Sequence, residues 1–174
     1  MAFLPSQSGW RRQVRKLLLA LQTSSLMPWP VRRTLLGFCG CKLGAASYIE
    51  PGAHFASGDV SIGDHAYINR GFLIDGLGPV RIGARVRIGP GVKILTATHR
   101  ITEDPLARAS AEVVHAPVTI EDGVWLGAGA VVMPGRTVRS GCVIGAGAVV
   151  TRDTDRDGLY LGVPARHVRT LPTI

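Results

Sequence analysis

The stretch IEDGVWLGAGAVVMPGRTVRSGCVIGAGAVV, residues 120–150, returns to an aliphatic side chain at every sixth position: Ile120, Leu126, Val132, Val138, Ile144 and Val150. The same step runs upstream through Leu43, Ile49 and Phe55, then Ile62, Ile68 and Ile74, then Ile82, Ile88 and Ile94. The residue after the aliphatic is often Gly (Gly44, Gly63, Gly83, Gly89, Gly127, Gly145), and four places after it stands mostly something small or β-branched, such as Ala53, Ala66, Val86, Val124, Ala130 and Ala148. A helical face repeats about every 3.6 residues, so no helix explains this period. A short strand and a tight turn together use six residues. A chain that repeats this unit turns the same way each time and stacks its inward side chains on those of the next coil. Glycine is expected to supply the positive φ that such turns need. The fold this predicts is an all-β solenoid.

Three breaks interrupt the register. One extra residue falls near Val60–Ser61 and two near Val80–Arg81, each absorbed by a wider turn, and twenty residues, 100–119, are inserted before the count resumes. The insertion carries Arg100, Glu103, Asp104, Arg108 and Glu112. A long loop extruded from a rigid repeat is a place to look for function.

Composition agrees with a turn-rich fold. Glycine takes 22 of 174 residues and aromatics only 6%, while 46% apolar against 18% charged excludes global disorder. The three cysteines, Cys39, Cys41 and Cys142, form neither a disulfide framework nor a zinc signature. The longest apolar run of the N-terminal part, Leu17 to Leu21, is too short to span a membrane and starts too late for a cleaved signal. A reduced, cytoplasmic protein is expected.

The net charge of +8 is unevenly placed: residues 1–42 hold seven basic side chains (Arg11, Arg12, Arg15, Lys16, Arg32, Arg33, Lys42) and no acidic one. The remainder holds thirteen basic and twelve acidic residues, so the body is nearly neutral. That distribution argues against a nucleic-acid-binding face. Residues 1–42 are expected to form a basic arm, helical over Val14–Leu26 and Val31–Phe38, ahead of a solenoid domain at 43–174 with a C-terminal tail. One reading of the arm is a cap over the apolar end of the first coil. The other is an anchor at a membrane surface through Trp10, Trp29 and the arginines.

His99 follows Thr96-Ala97-Thr98 and directly precedes the insertion. Thirty residues upstream, Asn69 stands where the repeat normally takes Gly, and Asp75 takes the same place one hexapeptide later. An imidazole, with an ordinary pKa of ~6.5, suits proton removal from an attacking hydroxyl at neutral pH. No Ser–His or Cys–His pairing points to a covalent intermediate. His54, His65, His115 and His167 have no metal-ligand spacing, and no metal is expected.

The aliphatic–Gly–x–x–small–x pattern over residues 43–170 resembles the hexapeptide-repeat family. The resemblance implies a left-handed parallel β-helix of three hexapeptides per triangular coil, here about five coils stacked to roughly 24 Å. Asn69, Asp75, Thr96-Ala97-Thr98-His99, the loop, and Val124-Trp125-Leu126-Gly127 together look like the acetyl-CoA-dependent acetyltransferases of this fold, most of all the sugar O-acetyltransferases of the maltose, galactoside, nodulation and capsule types.

Those enzymes are homotrimers with each site between neighbouring prisms. The resemblance therefore implies direct acetyl transfer to a small-molecule hydroxyl, with His99 as general base and Asn69, Asp75 and Trp125 at the acceptor. A backbone N–H near Gly127–Gly129 would hold the oxyanion. By the same resemblance Ala128, Ala146, Thr151 and Arg152 contact the CoA arm, and Arg166 and Arg169 suit its phosphates. The chain departs from the pattern at Ala128, where many sugar acetyltransferases carry Ser, and at Arg100, where Pro is common. Arg136 occupies a usually apolar position. Drug-inactivating acetyltransferases of the streptogramin or chloramphenicol type share the fold and the histidine, and a trimeric scaffold without catalysis shares the repeat. A zinc carbonic anhydrase of this fold needs a histidine five positions after the first, and Asp104 stands there.

Overall fold

The computed structural model describes residues 9–173; residues 1–8 of the expected arm and residue 174 lie outside them. Two helices, α1 (Gly9–Leu21) and α2 (Trp29–Phe38), precede the strands. The first coil is β1 (Lys42–Leu43), β2 (Tyr48–Ile49) and β3 (His54–Phe55); the second is β4 (Val60–Ile62), β5 (Tyr67–Ile68) and β6 (Leu73–Asp75). The third is β7 (Val80–Ile82), β8 (Arg87–Ile88) and β9 (Lys93–Leu95), after which β10 (Ala97–Ile101) and β11 (Ala109–His115) leave the solenoid. The fourth is β12 (Val118–Ile120), β13 (Trp125–Leu126) and β14 (Val131–Val132); the fifth is β15 (Thr137–Val138), β16 (Val143–Ile144) and β17 (Val149–Val150). The chain ends in β18 (Gly158–Leu161) and β19 (Arg166–Thr170).

Three parallel sheets result, one per prism face: β1-β4-β7-β12-β15 on the first, β2-β5-β8-β13-β16-β18 on the second and β3-β6-β9-β14-β17 on the third. β19 closes the second face as an antiparallel strand on β18. The register stacks each aliphatic on its equivalent, as in Ile49↔Ile68 and Ile68↔Ile88. Every inward residue expected from the period is buried except Leu43, which is half-buried.

Five coils are complete, but a sixth is begun: Thr154 N–H donates to Thr137 on the first face, β18 pairs with β16 on the second, and Gly162 and Ala165 bracket Val149 on the third. Its buried inward residues are Thr154 and Tyr160, so an aliphatic count misses it. The extra residues of the second and third coils lie at 56–59 and 76–79, a few positions before the expected breaks, both at the corner from the third face to the first. The insertion leaves from that same corner. It is a β-hairpin over residues 97–115, not a loop over 100–119, with Ala97↔His115, Thr98↔Val114 and His99↔Val113 in register and a bulge between His99 and Ile101.

The glycine that follows each aliphatic does not supply positive φ. Positive φ falls two positions later, at residues such as Gly91 (69°) and Gly129 (66°). The post-aliphatic glycine is demanded by the next coil: a Cβ on Gly89 would stand 2.7 Å from the Ala128 nitrogen, and one on Gly127 2.6 Å from that of Ala146.

α1 starts five residues before the expected Val14, since Arg and Gln are good helix formers, and it stops at Leu21 before Thr23-Ser24-Ser25. α2 starts two residues early because Pro30 sits in its first turn, where no N–H is needed. The helices lie on the start of the solenoid. Leu19 and Leu36 are buried in its core, and Gln22 Nε2 donates to the Ala53 carbonyl at 2.6 Å. Arg32, 1% exposed, sends its guanidinium to the carbonyls of Gln22, Ile49, Ser24 and Met27 at 2.7–3.1 Å. Among the described residues no helix is long and apolar enough to cross a membrane. The three thiols are free and buried.

Candidate active site

His99 is carried by the hairpin, two residues beyond its base, and is exposed. Its Nδ1 lies 2.7 Å from the Ser110 carbonyl oxygen on the opposite strand. A carbonyl can only accept, so Nδ1 carries the proton and the Nε2 lone pair is left to act as a base. His115 at the hairpin base has the other arrangement, since its Nδ1 accepts the Leu77 N–H at 3.3 Å.

The hairpin is anchored by Thr96, which is fully buried. Its hydroxyl donates to the Asp75 carbonyl at 2.8 Å and accepts the Gly78 N–H at 3.1 Å, while its own carbonyl takes the Ala116 N–H at 2.9 Å. Asp75 therefore sits against the hairpin base, at the same corner as His99. Its exposed carboxylate makes no hydrogen bond or ion pair among the described residues. Thr151 and Arg152 follow β17 toward this corner further along the prism and are exposed.

Asn69 lies elsewhere, at the corner from the second face to the third. Six residues separate it from Asp75, at most about 20 Å of chain. Its Oδ1 accepts the Arg70 N–H at 2.8 Å. Beside it the Tyr67 hydroxyl donates to Glu50 Oε1 at 2.9 Å, which raises the Tyr67 pKa, and Arg70 Nε stands 3.7 Å from Glu50 Oε2. Trp125 points outward on the second face, 56% exposed, in register between Arg87 and Val143.

The same second-to-third corner stacks Pro51, Arg70, Pro90, Ala128 and Ala146, each coil's turn resting on the one before, as in Gly129 N–H to Pro90 O and Gly147 N–H to Ala128 O, both 2.8 Å. Proline has no N–H, and that of Arg70 is taken by Asn69. The N–H groups of Ala128 and Ala146 have no acceptor among the described residues, and both residues are exposed. They form a pair of outward donors one coil apart, about 4.8 Å. Within the expected Gly127–Gly129 segment, the Gly127 and Gly129 N–H groups are spent on the Ile144 and Pro90 carbonyls, so only Ala128 can donate. Arg166 and Arg169 are exposed on β19.

One chain thus brings His99 and Asp75 to one corner and Asn69, Ala128 and Ala146 to another, with the third face between them. Thr96 belongs to the motif that ends in His99, but its anchoring role and the Ser110 carbonyl are not legible in the sequence. Ser110 is eleven residues from His99 and only the hairpin joins them. The change from Pro51 and Pro90 to Ala128 and Ala146 was the available signal for the outward N–H pair. Arg136, which stands in line with the buried Val60, Val80 and Val118, turns out of the core, its Nη1 3.5 Å from Asp153. Among the described residues no three His, Cys, Asp or Glu side chains are placed to hold a metal.

The bacterial transferase hexapeptide family (six repeats) matches residues 117–152. Nodulation protein L of Rhizobium meliloti is 45% identical over 126 residues, 72% of this chain and 68% of that protein. A galactoside O-acetyltransferase of Lactococcus lactis is 34% identical, over 93% of this chain and 79% of that protein. A hexapeptide-repeat acetyltransferase of Vibrio cholerae, solved in complex with acetyl-coenzyme A, superposes with a TM-score of 0.85 at 31% identity, over 99% of this chain and 94% of that one. Repeat and coil agree with this breadth of likeness, and the chain belongs to the hexapeptide-repeat acetyltransferases.

Proposed function

We propose that the protein is an acetyl-CoA-dependent O-acetyltransferase that acylates a hydroxyl of a saccharide or saccharide precursor, working as a homotrimer. The observation that carries the reading is the His99–Ser110 hydrogen bond, which leaves Nε2 as the basic nitrogen. In this reading Nε2 removes the acceptor hydroxyl proton as its oxygen attacks the thioester carbonyl. The Ala128 N–H steadies the oxyanion, the C–S bond breaks, and the imidazolium returns the proton to the departing thiolate. Ala146, Thr151 and Arg152 would line the CoA arm, with Arg166 and Arg169 toward its phosphates. Asn69, Asp75 and Trp125 would face the acceptor.

The separation of His99 from Ala128 by a whole prism face supports a site shared between copies. In a closed ring of three, one chain's third-to-first corner can meet the next chain's second-to-third corner. Acyl-CoA donors are made in the cytoplasm, and the reading places the protein there.

The reading is tested by calorimetric titration with CoA and with acetyl-CoA, followed by a screen of hydroxylated acceptors. Saturable binding and acetyl transfer are expected. No binding of either compound up to millimolar concentration would overturn it in favour of a scaffold.

A further inference from the structure

Helix α1 meets the solenoid with only one side. Leu19 and Gln22 are buried there and Leu18 is half-buried. Next to that side runs a second apolar stripe, Trp10, Val14, Leu17 and Leu21, at steps of four, three and four residues. At 100° per residue these four fall within about 60° of the helix circumference. They are 65%, 40%, 59% and 48% exposed. The stripe continues across a groove of about 380 Å³ to Phe38 at the end of α2, 79% exposed. Nothing among the described residues covers it.

Charge selects the occupant. Residues 1–42 carry seven cations and no anion, so a second copy of this arm would set like charges against each other. Arg11 lies about 60° round the helix from Val14 and Lys16 about 100° from Leu17 on the other side; both are exposed and make no ion pair among the described residues. An apolar stripe edged by cations, with a tryptophan at one end, has the chemistry of a helix lying in the headgroup region of an anionic bilayer. Thirteen residues are too few to span one. We infer that the outer stripe of α1, with Phe38, docks the protein on an anionic phospholipid surface. The inference goes beyond the catalytic reading and does not depend on it.

The test is flotation of the full chain with vesicles of phosphatidylcholine alone and of phosphatidylcholine mixed with phosphatidylglycerol. The protein is expected to float with the mixed vesicles and not with the neutral ones, less so as salt is raised. The double variant Leu17→Glu, Leu21→Glu should lose about tenfold or more in partitioning while its unfolding midpoint stays near that of the parent, because both side chains point to solvent. Failure to float with anionic vesicles would overturn the inference. So would equal flotation of the double variant, or a change in its assembly size without any lipid effect, which would make the stripe a contact between copies.

Discussion

The Nδ1 atom of His99 and the carbonyl oxygen of Ser110 stand 2.7 Å apart across the β10–β11 hairpin, a contact between side chain and main chain that side-chain substitution at Ser110 leaves in place. It fixes one tautomer and aims Nε2 away from the hairpin ladder. On the proposed chemistry, His99→Ala loses about 10²–10⁴ in turnover. Its unfolding midpoint and acetyl-CoA affinity should be nearly unchanged, because the imidazole is exposed and takes no part in the core. Steady-state kinetics beside thermal unfolding checks both.

Ala128 stacks on Pro90, so its corner already accommodates a proline ring one coil earlier. Ala128→Pro should fold normally and remove only the outward N–H. Turnover is expected to fall about 10²–10³-fold if that N–H meets the oxyanion. Ala128→Gly, which keeps the N–H, should stay within about threefold of the parent.

Thr96→Val keeps the shape of a buried side chain but strips its hydroxyl, leaving the Gly78 N–H without its acceptor. The cost expected in denaturant unfolding is about 1–3 kcal/mol. Because Thr96 anchors the strand that carries His99, turnover should fall while acetyl-CoA affinity holds.

Glu121 accepts the Ser140 N–H at 3.0 Å and the Ser140 hydroxyl at 2.9 Å, with Arg139 and Arg156 nearby. These bonds, Ser140's first, hold its pKa below the ordinary carboxylate value. A folded-state pKa lowered in this way gives stability that is fully present above about pH 4.3 and lost as pH falls through the lowered value. Glu121→Gln should cost on the order of 1 kcal/mol at neutral pH, a difference that closes in acid. Urea unfolding of both proteins from pH 7 to pH 3 checks the trend.

The core was legible because inward residues obey a strict period: Ile68, Ile88 and Leu126 were placed on one face by counting alone, and each is buried. Period says nothing about where extra residues go, so counting alone puts the wide turns at 56–59 and 76–79 a few positions late. Nor does it mark the hairpin, whose outer strand Ala109–His115 is almost wholly exposed and so lacks a buried alternation. The sixth coil escaped because Thr154 and Tyr160 replace aliphatics. The handedness of the coil came only with the family resemblance.

For the site, residue types pointed to His99 and the stacked alanines. What those residues do depends on contacts no local pattern encodes: a carbonyl eleven residues away, and a pair of N–H groups whose equivalents on the earlier coils are absent at two prolines and taken by an asparagine at Arg70.

On the proposed reading His99 of one copy works with Ala128 of another, and mixed assemblies test this pairing. His99→Ala and Ala128→Pro are each expected to be nearly inactive alone. Co-expressed in equal amounts, they should recover about a quarter of the parental turnover, since in a random ring of three one interface in four joins an intact histidine to an intact N–H. No recovery in assemblies proven to be mixed, or a His99→Ala protein that turns over like the parent, would contradict the account.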